Sequence, residues 1–181
     1  MPNKKITIDA LNPADWDKFA IEVETYQDWL SDRCSQFVNR LAEEGVRIAQ
    51  INFNSAVYAG INDVECMVTG AGGKGDGFSA VITARGESVI FIEFGSGIAF
   101  ANAYQFEYGF APGSYGLGQG LNSKGWLYAG PPGDNPPFGT EPSTKKSGMT
   151  HTYGNPANAA MLEAVNALER KIGSIAAEVF A

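Results

Sequence analysis

The side chains best suited to acid–base or nucleophilic chemistry are the single histidine, His151, and a serine between two glycines, Ser96. Ser96 follows Gly95 at the end of an apolar run, where a nucleophile could be exposed on a turn. The G-x-S-x-G elbow, however, needs a glycine where Phe94 stands, and no helix-forming run follows Gly97. We therefore expect no enzyme, and a small hydrolase that uses Ser96 and His151 stays an alternative.

A glycine-rich segment, residues 70–77, has the spacing of a phosphate-binding loop. Gly70, Gly72 and Gly75 fit G-x-G-x-x-G, but that fingerprint needs a helix directly after the glycines, whereas a strand follows here. Lys74 is followed by glycine, where a Walker loop needs serine or threonine for magnesium. The segment is predicted to be a flexible hairpin loop, and no cofactor is expected.

Glu93 is an acid inside the apolar run 89–94 and shares a face with hydrophobic side chains. A buried carboxylate needs hydrogen bonds or a cation. Arg85, the backbone amides after Gly95, or His151 can supply them. We favour a structural clamp that joins the strand end to the His151 segment, and a solvent-facing edge position is the alternative.

The longest predicted element is an amphipathic helix over residues 13–49, where apolar side chains recur at spacings of three and four. Asn12 and Pro13 supply its cap and first turn. Some 35 residues would form a rod of roughly 50 Å, which is longer than the core of a small domain needs. Gly45 can break it, so two shorter helices are the alternative.

Residues 64–94 are predicted to form an antiparallel meander of three strands, 64–69, 78–84 and 88–94, with tight connections. Together with the two terminal helices this gives an α+β fold, in which both helices pack on one antiparallel sheet. We expect a single domain over residues 1–181.

The C-terminal helix is predicted to span residues 156–179. Tyr153 and Gly154 have turn chemistry, Asn155 suits the N-cap, and Pro156 suits the first helical position. His151 lies just before this turn, so the only histidine is placed close to the helix start.

Residues 95–150 are predicted to be a long loop rich in glycine, proline and aromatic residues. So long an irregular segment in a small domain is commonly functional or ordered by a partner. Two interpretations stay open: the aromatic side chains, Trp126 and Tyr128 among them, cover the domain's own sheet, or they contact another protein.

Composition excludes several classes. The net charge of −7 and the sequence pI near 4.7 argue against a surface that wraps nucleic acid. No window is apolar enough to span a membrane, and the first residues lack the hydrophobic core of a secretory signal, so we expect synthesis in a cytoplasm. Cys34 and Cys66 have no metal or redox spacing and are expected to be buried, reduced thiols.

Three short motifs occur in a fixed order: I-F-I-E-F-G-S-G over residues 90–97, G-W-L-Y over 125–128, and H-T-Y-G-N-P-A-N over 151–158. In these motifs the chain resembles the small tail-component proteins of long-tailed double-stranded-DNA bacteriophages and prophages, known as tail-completion, tail-terminator or head–tail joining proteins. The resemblance covers the chain from about residue 53 onward. The chain departs from the family pattern at three places: it has Ser96 where threonine is usual, Ala159-Ala160-Met161 in place of P-F-M, and a long loop.

The resemblance implies a structural virion protein made in the host cytoplasm and located in the tail or neck of the particle. Its subunits would form a ring, six-fold in relatives, in contact with the tail tube protein and with head-connector or stopper proteins. DNA would only pass through the lumen, and no membrane would be involved. An acidic lining would let DNA slide without sticking. Implied structural or interface residues are Glu93, Phe94, Gly95, Gly97, Trp126, Tyr128, His151, Tyr153, Gly154 and Pro156.

Other functions compatible with the sequence are a head-completion (stopper) protein, a tail-assembly factor, or a small acidic binding module.

Overall fold

The computed structural model describes residues 5–73 and 77–181 and confirms the predicted α+β fold class. In chain order the elements are α1 (Pro13–Asn54), β1 (Glu65–Gly73), β2 (Phe78–Arg85), α2 (Val89–Glu93), α3 (Ala103–Glu107), β3 (Trp126–Ala129), β4 (Glu141–Pro142), β5 (Met149–Thr152) and α4 (Ala160–Phe180). Lys74, Gly75 and Asp76 of the glycine-rich segment lie outside the described residues. Within the described ranges, no helix has the length and hydrophobicity needed to cross a membrane.

Helix α1 is continuous, so the two-helix alternative is wrong. The Asn12 side chain accepts a hydrogen bond from the amide of Ala14, and Pro13 occupies the first turn. The 42 residues make a rod of roughly 63 Å. The helix runs five residues past the predicted end because Ala49 and Phe53, both fully buried, are part of the core.

Gly45 lies where α1 is closest to other elements, and it does not break the helix. A Cβ atom at this position would collide with Ile82 of β2 and would lie 2.7 Å from a methyl group of Leu168 in α4. The glycine therefore lets a strand and a second helix approach α1 closely.

The predicted third strand, 88–94, is wrong, because residues Val89–Glu93 form the short helix α2. The Asp63 carboxylate accepts hydrogen bonds from the amides of Glu87 and Ser88 and from the Ser88 hydroxyl, which fixes the start of the helix. Although burial opposes the effect, these hydrogen bonds hold the pKa of Asp63 below its usual value. The meander is therefore a two-stranded antiparallel hairpin of β1 and β2, with a bulge after Thr69, that packs on α1.

The segment expected as a loop, 95–150, contains regular structure. Strands β3 and β4 flank β5 in an antiparallel sheet of order β3-β5-β4. Helix α3 and two short 3₁₀ turns, Ile98–Phe100 and Gln119–Leu121, precede this sheet. His151 lies in the central strand.

Helix α4 begins at Ala160 and runs antiparallel along α1. The Asn52 side chain donates to the Ala160 carbonyl oxygen at 3.0 Å, and the ring centroids of Phe37 and Phe180 lie 5.9 Å apart at the other end. Helix α4 therefore covers α1 only from Phe37 to Asn52. The preceding part of α1, residues 13–36, extends roughly 36 Å beyond the end of α4.

The hydrophobic core is formed by α1, β1, α2 and α4, and its buried members are Ala49, Phe53, Ala56, Val64, Cys66, Ile92, Ala160 and Ala164. Cys66 is a free buried thiol, and burial raises its pKa. Cys34 is also free but only half-buried, so the prediction that both are buried is wrong for Cys34.

Charged side chains join α1 and α4 at the surface. Glu44 accepts hydrogen bonds from Arg47 at 2.7 and 2.8 Å and from Lys171 at 2.5 Å. Hydrogen bonds from Arg47 and then Lys171 lower the pKa of Glu44 to about 2.

The pKa of Glu44 leads to a prediction for acid unfolding. Because its folded pKa lies below the ordinary 4.5, Glu44 contributes stability above pH 4.5 that is lost as the pH falls towards 2. Glu44→Gln should therefore reduce the loss of unfolding free energy between pH 4.5 and 2, measured by denaturant titration at each pH. Glu43→Gln, at an exposed neighbouring position, is the control. Equal pH slopes for the two variants would contradict the assignment.

The two glycines inside the long helices should respond in opposite directions to a larger side chain. No atom lies within 4 Å of a Cβ at Gly173, so Gly173→Ala should raise the free energy of unfolding by about 1 kcal/mol through helix propensity. Gly45→Leu should lower it by about 1–3 kcal/mol through overpacking against Ile82 and Leu168. Chemical denaturation measures both, and a neutral Gly45→Leu would refute the close packing described above.

Candidate functional site

Glu93, the last residue of α2, is 5% exposed and caps the start of α4 from a distance. Its carboxylate accepts hydrogen bonds from the amides of Met161 at 2.8 Å and Leu162 at 3.3 Å, and from the Tyr104 hydroxyl at 2.7 Å. The first amides of a helix lack partners within the helix and carry partial positive charge, so they stabilise a carboxylate there. Glu93 is therefore buried and acts as a clamp, but it joins α2 to Tyr104 and the start of α4 and not, as predicted, a strand end to the His151 segment.

The rings around Phe94 extend this clamp. The centroid of Phe94 lies 5.2 Å from Tyr104, 5.6 Å from Tyr108 and 4.2 Å from Phe110. Burial, and then the hydrogen bond to Glu93, raises the pKa of Tyr104, so its hydroxyl stays a donor. Phe94 thus packs α3 against α2.

Two sequence motifs cross each other in direct backbone contact. Ser96 and Asn155 exchange amide–carbonyl hydrogen bonds of 2.8 and 2.9 Å. Gly95, Gly97 and Gly154 surround this bridge with φ values of 76°, 81° and 107°. A Cβ on any of the three would collide with backbone atoms of the opposite segment. These glycines are required by a close backbone crossing as well as by their left-handed conformations.

Asn155 is committed to this crossing. Its side chain accepts a hydrogen bond from the Ala59 amide at 2.6 Å and donates to the Ser96 hydroxyl at 3.1 Å. It therefore cannot cap a helix that starts at Pro156, and the predicted start of α4 at that residue is wrong. The cap comes from Glu93, and the helix begins at Ala160.

His151 and Ser96 do not form a catalytic pair. The two ring nitrogens of His151 lie 2.9 Å from the Lys124 carbonyl oxygen and 3.2 Å from that of Gly139. No hydrogen bond joins His151 to Ser96 in the described part of the chain. The geometry therefore lacks the contact by which a histidine would activate a serine.

Trp126 and Tyr128 lie in β3. His151 lies in the neighbouring strand β5, and Tyr153 directly follows that strand. Tyr128 donates its hydroxyl hydrogen to the Ala59 carbonyl oxygen, and burial raises its pKa. The His151 and Tyr153 rings meet edge to face at 4.9 Å. The Tyr128 hydroxyl thus links β3 to the segment around Ala59 within the same chain, whereas Trp126 lies beside a cavity.

A cavity of about 450 Å³ lies between β3 and the segment 112–120. Its lining is largely apolar, and each of the three motifs contributes to it: Ser96 and Gly97, Trp126 and Tyr128, and Asn155. The size is within the range of pockets that hold a bound ligand or side chains. The sequence motifs therefore converge on one place.

Sequence reasoning missed the two asparagines of the N-P-A-N segment as organising residues. Asn158 pairs with the backbone of Val57, accepting from its amide at 2.9 Å and donating to its carbonyl oxygen at 3.1 Å. Two carboxamides three residues apart, in a segment without helix periodicity, are the signal that could have shown this role.

Comparison of the chain with known protein families, curated proteins and solved structures finds no match. Among residues 5–73 and 77–181, no group of three or more histidine, cysteine, aspartate or glutamate side chains is placed to bind a metal ion. The site consists of the capped start of α4, the backbone crossing between Ser96 and Asn155, and the apolar cavity.

Removal of the charge at Glu93 should destabilise the fold. Glu93→Gln should lower the free energy of unfolding by about 1.5–3 kcal/mol, since its bonds are to a charged acceptor, and Tyr104→Phe should lower it by about 1 kcal/mol. Urea denaturation measures both. The control is Glu107→Gln, an exposed acid at the end of α3, which should change little. If Glu93→Gln unfolded at the wild-type midpoint, the carboxylate would not be the cap of α4.

Proposed function

We propose that this protein is a structural subunit of a long-tailed bacteriophage particle, a tail-completion or tail-terminator protein that assembles into a ring at the head–tail junction. The observation that carries the proposal is the half of α1, residues 13–36, that extends beyond α4 with apolar side chains in regular spacing. A hydrophobic helix face of this length requires a partner surface.

Five large apolar side chains of this half follow one face of the helix, whereas Ile21, 62% exposed, lies on the other side. Trp16, Phe19, Val23, Tyr26 and Leu30 recur at alternating spacings of three and four residues, as on helices that pack against another surface. The exposed fractions of Trp16, Tyr26 and Leu30 are 47%, 48% and 38%. Large aromatic side chains exposed in this way are the type that supplies most binding energy at protein interfaces.

The negative charge of residues 13–36 disfavours contact between the same helix segment of two copies and favours contact with a different surface. Residues 13–36 contain six acidic and two basic side chains, which is more than half of the net charge of −7. Two such helices side by side would repel each other. A contact between the helix of one subunit and the body of the next avoids this repulsion, and such head-to-tail contacts close into rings.

The motif resemblance supports the same function independently. The residues that carry it interlock around Glu93, Gly95, Gly154 and the cavity beside Trp126. In this proposal the partners are further copies of the chain, the tail tube protein and the head-connector or stopper proteins, and DNA passes through an acidic lumen.

A charge placed in the apolar stripe should prevent assembly. Tyr26→Asp should weaken self-association by roughly 30-fold, which corresponds to the loss of about 2 kcal/mol at an aromatic interface position. The measurement is light scattering over a concentration series, with negative-stain images of the same samples and with tail tubes added where the protein alone stays monomeric.

The matched control is Thr25→Asp, which adds the same charge on the opposite face of α1 and should assemble as wild type. Equal assembly of both variants would refute the role of the stripe. A phage that lacks the protein separates the neighbouring roles: tails of irregular length indicate a terminator, and filled heads that leak DNA indicate a stopper. Virion mass spectrometry that finds no copy of the chain would favour an assembly factor.

A further inference from the structure

We propose that the open edge of β3 binds the segment Lys5–Ile8 of a second copy of this chain as an added strand, with Ile6 and Ile8 in the cavity beside that edge. The inference rests on the proposed ring, for which it names the contact between neighbouring subunits.

Strand β3 is an edge strand whose outward backbone groups can be identified. The amide of Gly130 donates to the carbonyl oxygen of Gly148 in the register of the β3–β5 ladder, so even-numbered residues of β3 face β5. Leu127 and Ala129 therefore direct their amides and carbonyls away from β5. Within the described residues, no hydrogen bond from these groups to a partner is found.

The cavity lies directly along this edge. All four β3 residues line it, together with Met149 and Thr152 of β5, so the cavity extends from the β3 edge over the neighbouring sheet surface. Segment 112–120 forms the far wall, where Leu117 is 93% exposed. An extended segment paired with this edge would direct Ile6 and Ile8, which share one face of the strand, into the part of the cavity over that face of the sheet.

The edge lacks the features that usually prevent strand addition. Residues 126–129 read W-L-Y-A and contain neither lysine nor proline, which are the common protections of exposed edges. The hairpin β1–β2 also has edges, but it lies against α1, whose Gln50 side chain already accepts a hydrogen bond from the Cys66 amide. β3 is therefore the better acceptor.

The segment before α1 has the properties of a strand without a sheet. Ile6, Thr7 and Ile8 are β-branched and alternate apolar with polar, which favours a half-buried strand. Ile6 is 40% exposed. Among the described residues, no backbone hydrogen bond is found for Lys5–Ile8. The donor and the acceptor thus each offer four residues.

The donor must come from another copy because α1 holds the segment away from its own sheet. Residues 13–36 lie beyond the end of α4 and place Lys5–Ile8 at the outer part of the helix, whereas β3 belongs to the body. Donation from each subunit to the next is a head-to-tail contact, which repeats around a ring.

Paired variants test the donor and the acceptor separately. Ile6→Asp with Ile8→Asp should weaken self-association at least roughly tenfold. Ala129→Pro removes an outward amide without affecting the β5 ladder and should do the same. The control, Leu11→Asp with Thr25→Asp, adds the same charge at two exposed positions outside the proposed contact and should assemble as wild type. Circular dichroism checks that each variant is folded.

A mixture of the donor-defective and acceptor-defective variants tests the strand contact most directly. At concentrations where the wild type assembles, the donor-defective and acceptor-defective variants should each be monomeric. Together they retain one intact edge and one intact segment, so an equimolar mixture should form dimers and no rings. In wild-type assemblies, hydrogen exchange of the Leu127 and Ala129 amides should slow at least roughly tenfold relative to the donor-defective variant. Dimers in the mixture and protection of these two amides together support the proposal.

Rings formed by the donor-defective variant, or equal exchange of the two amides in both samples, would overturn the strand contact and leave the ring proposal standing. If the wild type alone is monomeric, a peptide of residues 5–10 is added in saturating amount. Protection of Leu127 and Ala129 by the peptide then supports the strand contact, and its absence overturns it. Binding of the protein to tail tubes is measured separately and tests the proposed function.

Discussion

The carboxylate of Glu93 at the start of α4 is the interaction on which the rest of the structure depends. The carboxylate accepts hydrogen bonds from two amides of α4 and from the Tyr104 hydroxyl of α3, so it connects α2, α3 and α4. Because this carboxylate supplies the cap, Asn155 is free to hold Ala59 and Ser96 instead. The capping of α4 by Glu93 therefore leaves the Asn155 side chain available for the backbone crossing.

Long elements could be predicted from the sequence, because amphipathic periodicity accumulates over many residues. Helix α1 follows this pattern over 42 residues, and its cap at Asn12 is local chemistry. Helix α2 could not be predicted, since a short run of four apolar residues and Glu93 fits a buried strand and a buried helix equally well. What decides between them is Asp63, a residue more than twenty positions away that binds the start of α2.

The candidate site could be predicted in part. The burial and clamp role of Glu93 follow from an acid in an apolar run, but its partners follow from the turn of α2, which no local pattern shows. Likewise, turn chemistry identifies Gly154, while the reason for Gly95 and Gly97 is a crossing with residues about 60 positions away. The cavity beside Trp126 forms only after both segments are in place.

The distribution of charge and unpaired backbone groups bears on the proposed ring. The acidic half of α1 is repelled by copies of itself, which disfavours helix-to-helix pairing. The open backbone of β3 and the strand-like segment before α1 lie at opposite ends of the molecule, so they cannot satisfy each other within one copy. In the proposed ring, where each copy contacts the body of the next with its outer helix, both constraints would be met. The contact proposed to relieve the repulsion would therefore be the same contact that adds a strand to β3.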